Sequence, residues 1–387
     1  GFYKENAPKI ALVANMIANP FTSDKDYLDS LIMNLEKRGF NLYPIYGIGR
    51  RLELLKEVSP DAVVYLAHGR LAMGYADAAA EWLEKENIPL FAPLTINNTH
   101  EAWLADKRGM SGGFLSQTVT MPESDGAVLP MALIAQFEEN GIYEFKPIPG
   151  KLADFTQTVA NYMKLRGMPN KDKRLAIYYY KGAGTGPLVA WGTEVIPSLY
   201  NILKRLKKEG YTVKNLPDNL KDFEIYVMKS GPLFGSYAEG SIRNYMESDY
   251  PALVDAEDYD RWLKEKLMPS VYEELIRIHG YPPGNYMCAE KGGRAYIGVP
   301  KVDFGNIVLL PQPIQGTGSN SFAAVHGANP MPPHSYIASY LWVQNDFKAD
   351  VLLHFGTHGS LEFIPGKQIG LSAYDWTDRL TTPLPHI

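Results

Sequence analysis

Short apolar runs rich in β-branched and aromatic residues alternate along this chain with segments whose apolar positions recur at helical spacing. The runs are KIALVANM (9–16), NLYPIYGI (41–48), DAVVYLAH (61–68) and IPLFAPL (88–94). Between the first two, Leu28, Leu31, Ile32 and Leu35 share one face of a helix predicted from Asp26 to Arg38 and stopped by Gly39. A further helical stretch spans Ala76 to Lys85. Strands that read as continuous apolar runs are buried on both faces, and strands separated by helices pair in parallel. The fold class that follows is α/β, with several strand-helix units, mainly parallel sheets and more than one domain.

The pattern restarts after Gly150. LADFTQTVANYMKLRG (152–167) has helical periodicity, RLAIYYY (174–180) reads as a buried strand, and a glycine-rich turn, KGAGTGP (181–187), leads into a helix through Leu199 to Lys208. Residues 215–290 mix acidic and aromatic residues with a helical segment from Tyr259 to Ile278, and periodicity leaves their layering open. A third passage begins at NIVLLPQP (306–313), crosses a Pro- and Gly-rich loop, and continues as a helix at HSYIASYLWVQNDF (334–347) and a strand at ADVLLHFG (349–356). The expected domains are 1–150, an α/β unit with a flavodoxin-like tendency; 151–300, a second unit with a helical insertion; and 301–387, carrying HFGTHGSLEF.

Composition removes several classes of function. A net charge of −5, with Lys and Arg scattered among acids, provides no footprint for nucleic acid. A single cysteine, Cys288, rules out an internal disulfide or a multi-cysteine metal site and fits a reducing cytoplasm. No apolar run approaches the ~20 residues that span a bilayer.

The richest stretch for chemistry is LLHFGTHGSLEFIPGKQ (352–368), where an apolar strand ends at His354 and gives way to a glycine-punctuated loop with His358 and Glu362. Strand ends line the crevices of open α/β sheets. Gly356 and Gly359 break helical continuity, so His354 belongs on the strand end, with His358 and Glu362 near the next helix's first turn. Two imidazoles and a carboxylate suit a divalent first-row metal, and suit proton transfer near neutral pH equally well. On spacing alone an ordinary reading stands beside these, with His354 a hydrogen-bonded core residue and Glu362 a helix-terminal charge. His326 and His334, in QGTGSNSFAAVHGANPMPPH (315–334), could complete a site or be solvated loop residues; His68, His100, His279 and His386 carry weaker signals. Neither GAGTGP (182–187) nor IPGKQ (364–368) has the spacing of a phosphate loop, so ATP hydrolysis is not expected within this segment. No nucleophile elbow is present either.

FKADVLLHFGTHGSLEFIPGKQIGLS (347–372) closely resembles the signature of the family formed by the large subunits of cobaltochelatase (CobN) and magnesium chelatase. EAWLADKRGMS (101–111), PESDG (122–126), PPHSYIASYLW (332–342) and PLPHI (383–387) follow in the family's order. The resemblance implies an internal segment of a large tetrapyrrole-binding subunit, inactive by itself, that accepts a porphyrin or corrin. It implies insertion of a divalent metal, cobalt or magnesium, with ATP hydrolysed on separate AAA+ subunits. Iron removal from haem and metal-free carriage of a tetrapyrrole are the alternatives. His354, His358 and Glu362 would be metal-delivery ligands or bases for the pyrrole protons. Lys367 would pair with a tetrapyrrole carboxylate, and His326, His334, Glu123 and Asp125 would be further substrate contacts. HFGTHGSLEF is closer to the magnesium-type wording, whereas LPQPIQG (310–316) fits neither branch.

Overall fold

Every one of the apolar runs forms a strand, and alternate side chains on each go to opposite sides of a sheet. The computed structural model describes residues 3–14, 26–47, 49–181, 189–190, 193–234, 238–313, 331–356, 359 and 361–387. They fall into two units, Gly1–Met163 with Gly366–Ala373, and Lys164–Pro365 with Tyr374–Ile387.

In the first unit β1 (Lys9–Val13), β2 (Asn41–Ile45), β3 (Ala62–Tyr65), β4 (Leu90–Phe91) and β6 (Ala127–Val128) make one parallel sheet in the order β2-β1-β3-β4-β6. Helices α1 (Asp26–Lys37), α2 (Arg51–Val58) and α3 (Ala76–Lys85) connect the first four strands. Ile10 and Leu12 bury against Leu28, Leu31 and Leu35 of α1. Ala11 and Val13 point the other way, onto Leu55 of α2 and Ala79 and Leu83 of α3. Two-sided burial of that kind is why β1 is apolar throughout. The run at 88–94 divides between two sheets: β4 stays in the large one, and β5 (Leu94–Thr99) joins a smaller one with β7 (Ala132–Glu139) and β8 (Ile142–Pro147). Pro93, which has no N–H to place in a ladder, stands between them. Helix α4 (His100–Ala105) packs Trp103 into the smaller sheet's core, where Ile369 also lies. Short helices α5 (Gly112–Leu115) and α6 (Met121–Glu123) flank a π-helical turn at Ser116–Thr120. Helix α7 (Lys151–Gly167) buries Phe155 and Val159 against the α1 side of the large sheet.

The second unit is built on β9 (Leu175–Tyr179). After the short hairpin β10 (Val189–Ala190) and β11 (Thr193–Glu194) come helices α8 (Val195–Lys208), α9 (Leu220–Ser230) and α10 (Glu239–Glu247). Next in the chain are β12 (Ala252–Asp255), α11 (Ala256–Lys266), α12 (Pro269–His279), β13 (Cys288–Lys291) and β14 (Arg294–Val299). The remaining elements are β15 (Val302–Asp303), β16 (Ile307–Pro311), α13 (His334–Asn345), β17 (Val351–Phe355) and α14 (Trp376–Thr381). The main sheet has the order β15-β16-β9-β17, parallel except for β15. Ala176, Tyr178, Leu310 and Leu352 face Tyr336, Ile337 and Tyr340 of α13. Ile177, Tyr179 and Leu309 face Leu199 and Leu203 of α8 and Phe223 and Val227 of α9.

Strands from 151–300 and from 301–387 thus share one sheet and two cores. The stretch that periodicity left open contains an antiparallel sheet, β12-β14-β13. The helix expected from Tyr259 to Ile278 is two helices, because Pro269 drives Met268 to φ −62°, ψ 142° and takes the N1 position of α12. Among the described residues no helix is long and apolar enough to cross a membrane.

Candidate functional site

β9, β16 and β17 run in parallel, with Leu175 level with both Ile307 and Val351, so their carboxyl ends finish together at Tyr179, Pro311 and Phe355. The glycine-rich stretches of the sequence follow directly from these three ends. Ligands of open α/β sheets bind at that edge, because the connecting loops part there and leave a crevice. His326, His358 and the turn at 182–187 lie outside the described residues.

His354 is the penultimate residue of β17 and shares the α13 side of the sheet with Leu352, as the two-residue strand period requires. Its ring stacks on Tyr178 at 5.2 Å, and Tyr178 stacks on Tyr340 at 4.5 Å. Both imidazole nitrogens are engaged: Nε2 is 2.9 Å from the Tyr340 hydroxyl and Nδ1 is 2.6 Å from His386 Nε2. His386 reaches this position because Pro385–Ile387 runs alongside β17. Leu352 N donates to Pro385 O, Ile387 N to Leu352 O, and His354 N to Ile387 O. Burial, reinforced by the neighbouring His386, pushes the His354 imidazole down to about 3, and desolvation also lowers His386.

The ring of His354 is therefore neutral at pH 7, and each tautomer satisfies the row. Either Tyr340 donates to Nε2 while Nδ1–H donates to His386, or His386 donates to Nδ1 while Nε2–H donates to Tyr340. An imidazole whose conjugate acid is this acidic is a weak general base. A neutral ring nitrogen is what a metal ion requires, and ligation would release either Tyr340 or His386.

Glu362 sits on a 3₁₀ turn, Leu361–Phe363, with an exposed side chain whose Oε1 accepts a 2.6 Å hydrogen bond from Gly359 N. A Cβ on Gly359 would come within 2.6 Å of Glu362 Oε2, so a side chain there would displace the Glu362 carboxylate. Among the described residues no group of three His, Cys, Asp or Glu side chains is placed to hold a metal, and His358 is not among those residues.

The other candidates are distributed between the two units. His334 opens α13 and is buried, with Nδ1 3.1 Å from the Tyr259 hydroxyl and Nε2 2.9 Å from Gly280 O. Burial lowers its pKa. In the first unit Asp125 is buried and accepts from Arg70 Nε at 2.6 Å and from Leu71 N at 2.7 Å, which ties the chain after β3 to the turn that carries PESDG. Glu123 is exposed at the end of α6. Lys367 donates to Leu104 O at 2.9 Å and Asp106 O at 2.7 Å and lies over the Trp103 ring, so its ammonium closes the carboxyl end of α4.

Three residues with only weak or no sequence signals belong to the sheet edge: His386, Tyr340 and Lys181. Lys181 lies two residues beyond the end of β9 and is buried, with Nζ 3.0 Å from Gly231 O. Burial pushes its ammonium down to about 8. A lysine placed between an apolar strand and a glycine-rich turn was the available sign. His386 had only its place in PLPHI, since its contact with His354 comes from strand pairing.

Comparison with known proteins places this geometry in a family. The chloroplastic magnesium-chelatase subunit ChlH of Oryza sativa subsp. japonica is 27% identical over 99% of this chain, which spans 27% of that protein. The aerobic cobaltochelatase subunit CobN of a Sinorhizobium species is 24% identical over 93% of the chain and 28% of that protein. A solved structure of the catalytic subunit of cobaltochelatase from Mycobacterium tuberculosis matches with a TM-score of 0.81 and 25% identity, over 98% of this chain and 33% of that one. The chain spans about a third or less of the length of these relatives. The family model described as CobN/Magnesium Chelatase matches residues 1–387, and the chain belongs to that family.

Proposed function

We propose that this chain is part of a large chelatase subunit that binds a porphyrin or corrin and inserts a divalent metal, cobalt or magnesium, into it. ATP would be hydrolysed on separate AAA+ partner subunits, and the cytoplasm is the compartment that a lone free thiol at Cys288 fits. The observation that carries the reading is His354, a neutral imidazole held by Tyr340 and His386 at the carboxyl edge of a parallel sheet, within the motif shared with chelatase subunits. In this reading His354 hands the metal on as a ligand. Glu362, exposed and acceptor-only when ionised, is the better base for the pyrrole protons. His358 would be a further ligand, and His326, from the loop before α13, and His334, at the start of α13, would border the tetrapyrrole site.

The test is metal insertion by the full-length protein with its partner subunits, followed by the absorbance change of the macrocycle. Glu362→Ala is expected to lower the rate by at least about 100-fold, in the range lost with a positioned acid-base group, and His354→Ala to lower it through loss of a metal ligand. Metal-free porphyrin and corrin should still quench Trp fluorescence of the variants. Unchanged insertion by folded variants would sink the catalytic assignment. A carrier without metallation is the second reading, favoured by the engagement of both His354 ring nitrogens within the protein; it predicts saturable macrocycle binding and no insertion in the wild type.

A further inference from the structure

Two imidazole nitrogens face each other at the carboxyl edge of β17. His354 Nδ1 and His386 Nε2 stand 2.6 Å apart, with the ring planes at 73°. Strand pairing puts them there: His386 is level with Leu352, so its side chain leaves the backbone on the face that Leu352 shares with His354. Backbone hydrogen bonds at Leu352 N, His354 N and Ile387 N hold the two segments together around the pair, so the rings are positioned before any ligand arrives.

The two nitrogens of His354 are not equivalent. Nε2 faces the core, 2.9 Å from the hydroxyl of buried Tyr340, whereas Nδ1 faces His386, which is exposed. Metal-ligating histidines are arranged in this way: the inner N–H donates to an oxygen that fixes the tautomer and the ring plane, and the outer nitrogen meets the ion. Two neutral imidazoles at 2.6 Å hold one proton between them. A metal ion can take that proton's place, because the proton has the far nitrogen of its own ring to move to, and on His354 that nitrogen is Nε2, beside Tyr340. Nitrogens bound side by side at about 2.0–2.1 Å from one ion lie about 2.9–3.4 Å apart, so the rings need to part by less than about 1 Å. An exposed side chain at a strand edge can make that movement.

Donor chemistry sets the class of ion. Imidazole nitrogen suits the later first-row transition ions, with affinity rising from manganese through cobalt to copper, whereas magnesium takes hard oxygen donors and keeps much of its water. A seat made by two side chains also leaves coordination positions for water and for the nitrogens of a macrocycle, as an ion that is to be passed on requires.

Building on the chelatase reading of this edge, we propose that His354 Nδ1 and His386 Nε2 together seat the incoming metal, and that the seat selects a later first-row transition ion such as cobalt over magnesium. Co²⁺ alone, without macrocycle or partner subunits, is the probe, titrated calorimetrically into the full-length protein that contains this chain. Saturable binding is expected, weakened at least about tenfold by His354→Ala and by His386→Gln, and X-ray absorption at saturating cobalt should count one imidazole fewer in each variant. His386 is exposed and should tolerate the exchange, which thermal unfolding checks. Glutamine keeps a hydrogen-bonding partner for Nδ1 but offers no imidazole, so His386→Gln binding cobalt as the wild type does would reduce His386 to a positioning residue and overturn the seat. Mg²⁺ that displaces Co²⁺ at equal concentration would overturn the selectivity. Cobalt seated as expected but never inserted into a macrocycle would end the chelatase reading and leave the seat standing; insertion that proceeds while cobalt binding ignores His386 would do the reverse.

Discussion

Lys181 buries an ammonium with only a backbone carbonyl, Gly231 O, in reach among the described residues, and its pKa falls to about 8 for that reason. Its folded value lies below the ordinary lysine value, so folding favours the neutral form. At pH 7 the folded and unfolded chains both carry the charge, and the folded state bears the full cost of burial. That cost is relieved as pH rises through the interval from about 8 to about 10.5. Lys181→Met should therefore stabilise the second unit at pH 7 by about 2 kcal/mol, with the gain shrinking by pH 10, as read from urea unfolding at both pH values. Asp125 is the opposite case, a buried carboxylate with two good partners, Arg70 Nε and Leu71 N. Asp125→Ala leaves both donors unpaired and should cost about 3 kcal/mol in the same measurement on the first unit. A loss below about 0.5 kcal/mol would show that the pair contributes no more than an exposed ion pair.

Helix α4 shows how one short element depends on residues far away in sequence. Thr99 caps its amino end by accepting from Ala102 N at 3.2 Å. Its carboxyl end is closed by Lys367, more than 260 residues later, through Leu104 O and Asp106 O. Lys367→Met should destabilise the first unit by about 2 kcal/mol, since two charge-assisted hydrogen bonds go and their carbonyls turn to solvent. Thr99→Ala should cost about 1 kcal/mol. Both are measured by thermal unfolding, and a Lys367→Met variant that melts like the wild type would free this lysine for a role at a ligand carboxylate. Gly109 marks the same docking of 366–373 from the other side. At φ +78°, with a Cβ that would collide with Ile369 O, it tolerates no side chain, and Gly109→Ala should lose several kcal/mol.

At the scale of the whole molecule, the histidines whose pKa values are lowered among the described residues, His334, His354 and His386, all belong to the second unit. Their folded values lie below the unfolded value near 6.5, so their neutral burial costs nothing above about pH 6.5 and stability is lost as pH falls below it, for His354 down to about pH 3. Going from pH 7 to pH 5 should cost the second unit about 2 kcal/mol through His354 alone, and His354→Phe should remove that part of the pH dependence, followed by hydrogen exchange in β9, β16 and β17. The alternation of apolar runs with helical periodicity was sufficient by itself for the α/β class, for the buried parallel strands β1–β4, β9, β16 and β17, and for His354 at a strand end, because two-sided burial and helical amphipathicity are written in local residue order; the short and antiparallel strands carry no such run. The family was legible in the same way, from HFGTHGSLEF and the motifs around it. Tertiary structure alone decided the rest. The split at Pro93 sends two neighbouring strands to different sheets, and the common sheet of β9, β16 and β17 joins stretches more than 100 residues apart. His386 meets His354 only through the pairing of Pro385–Ile387 with β17, and Lys367 finds α4 only through long-range docking. Local order sets which residues want to be buried and with what period; which strand lies beside which, and so which side chains meet, is settled by how the elements share their cores.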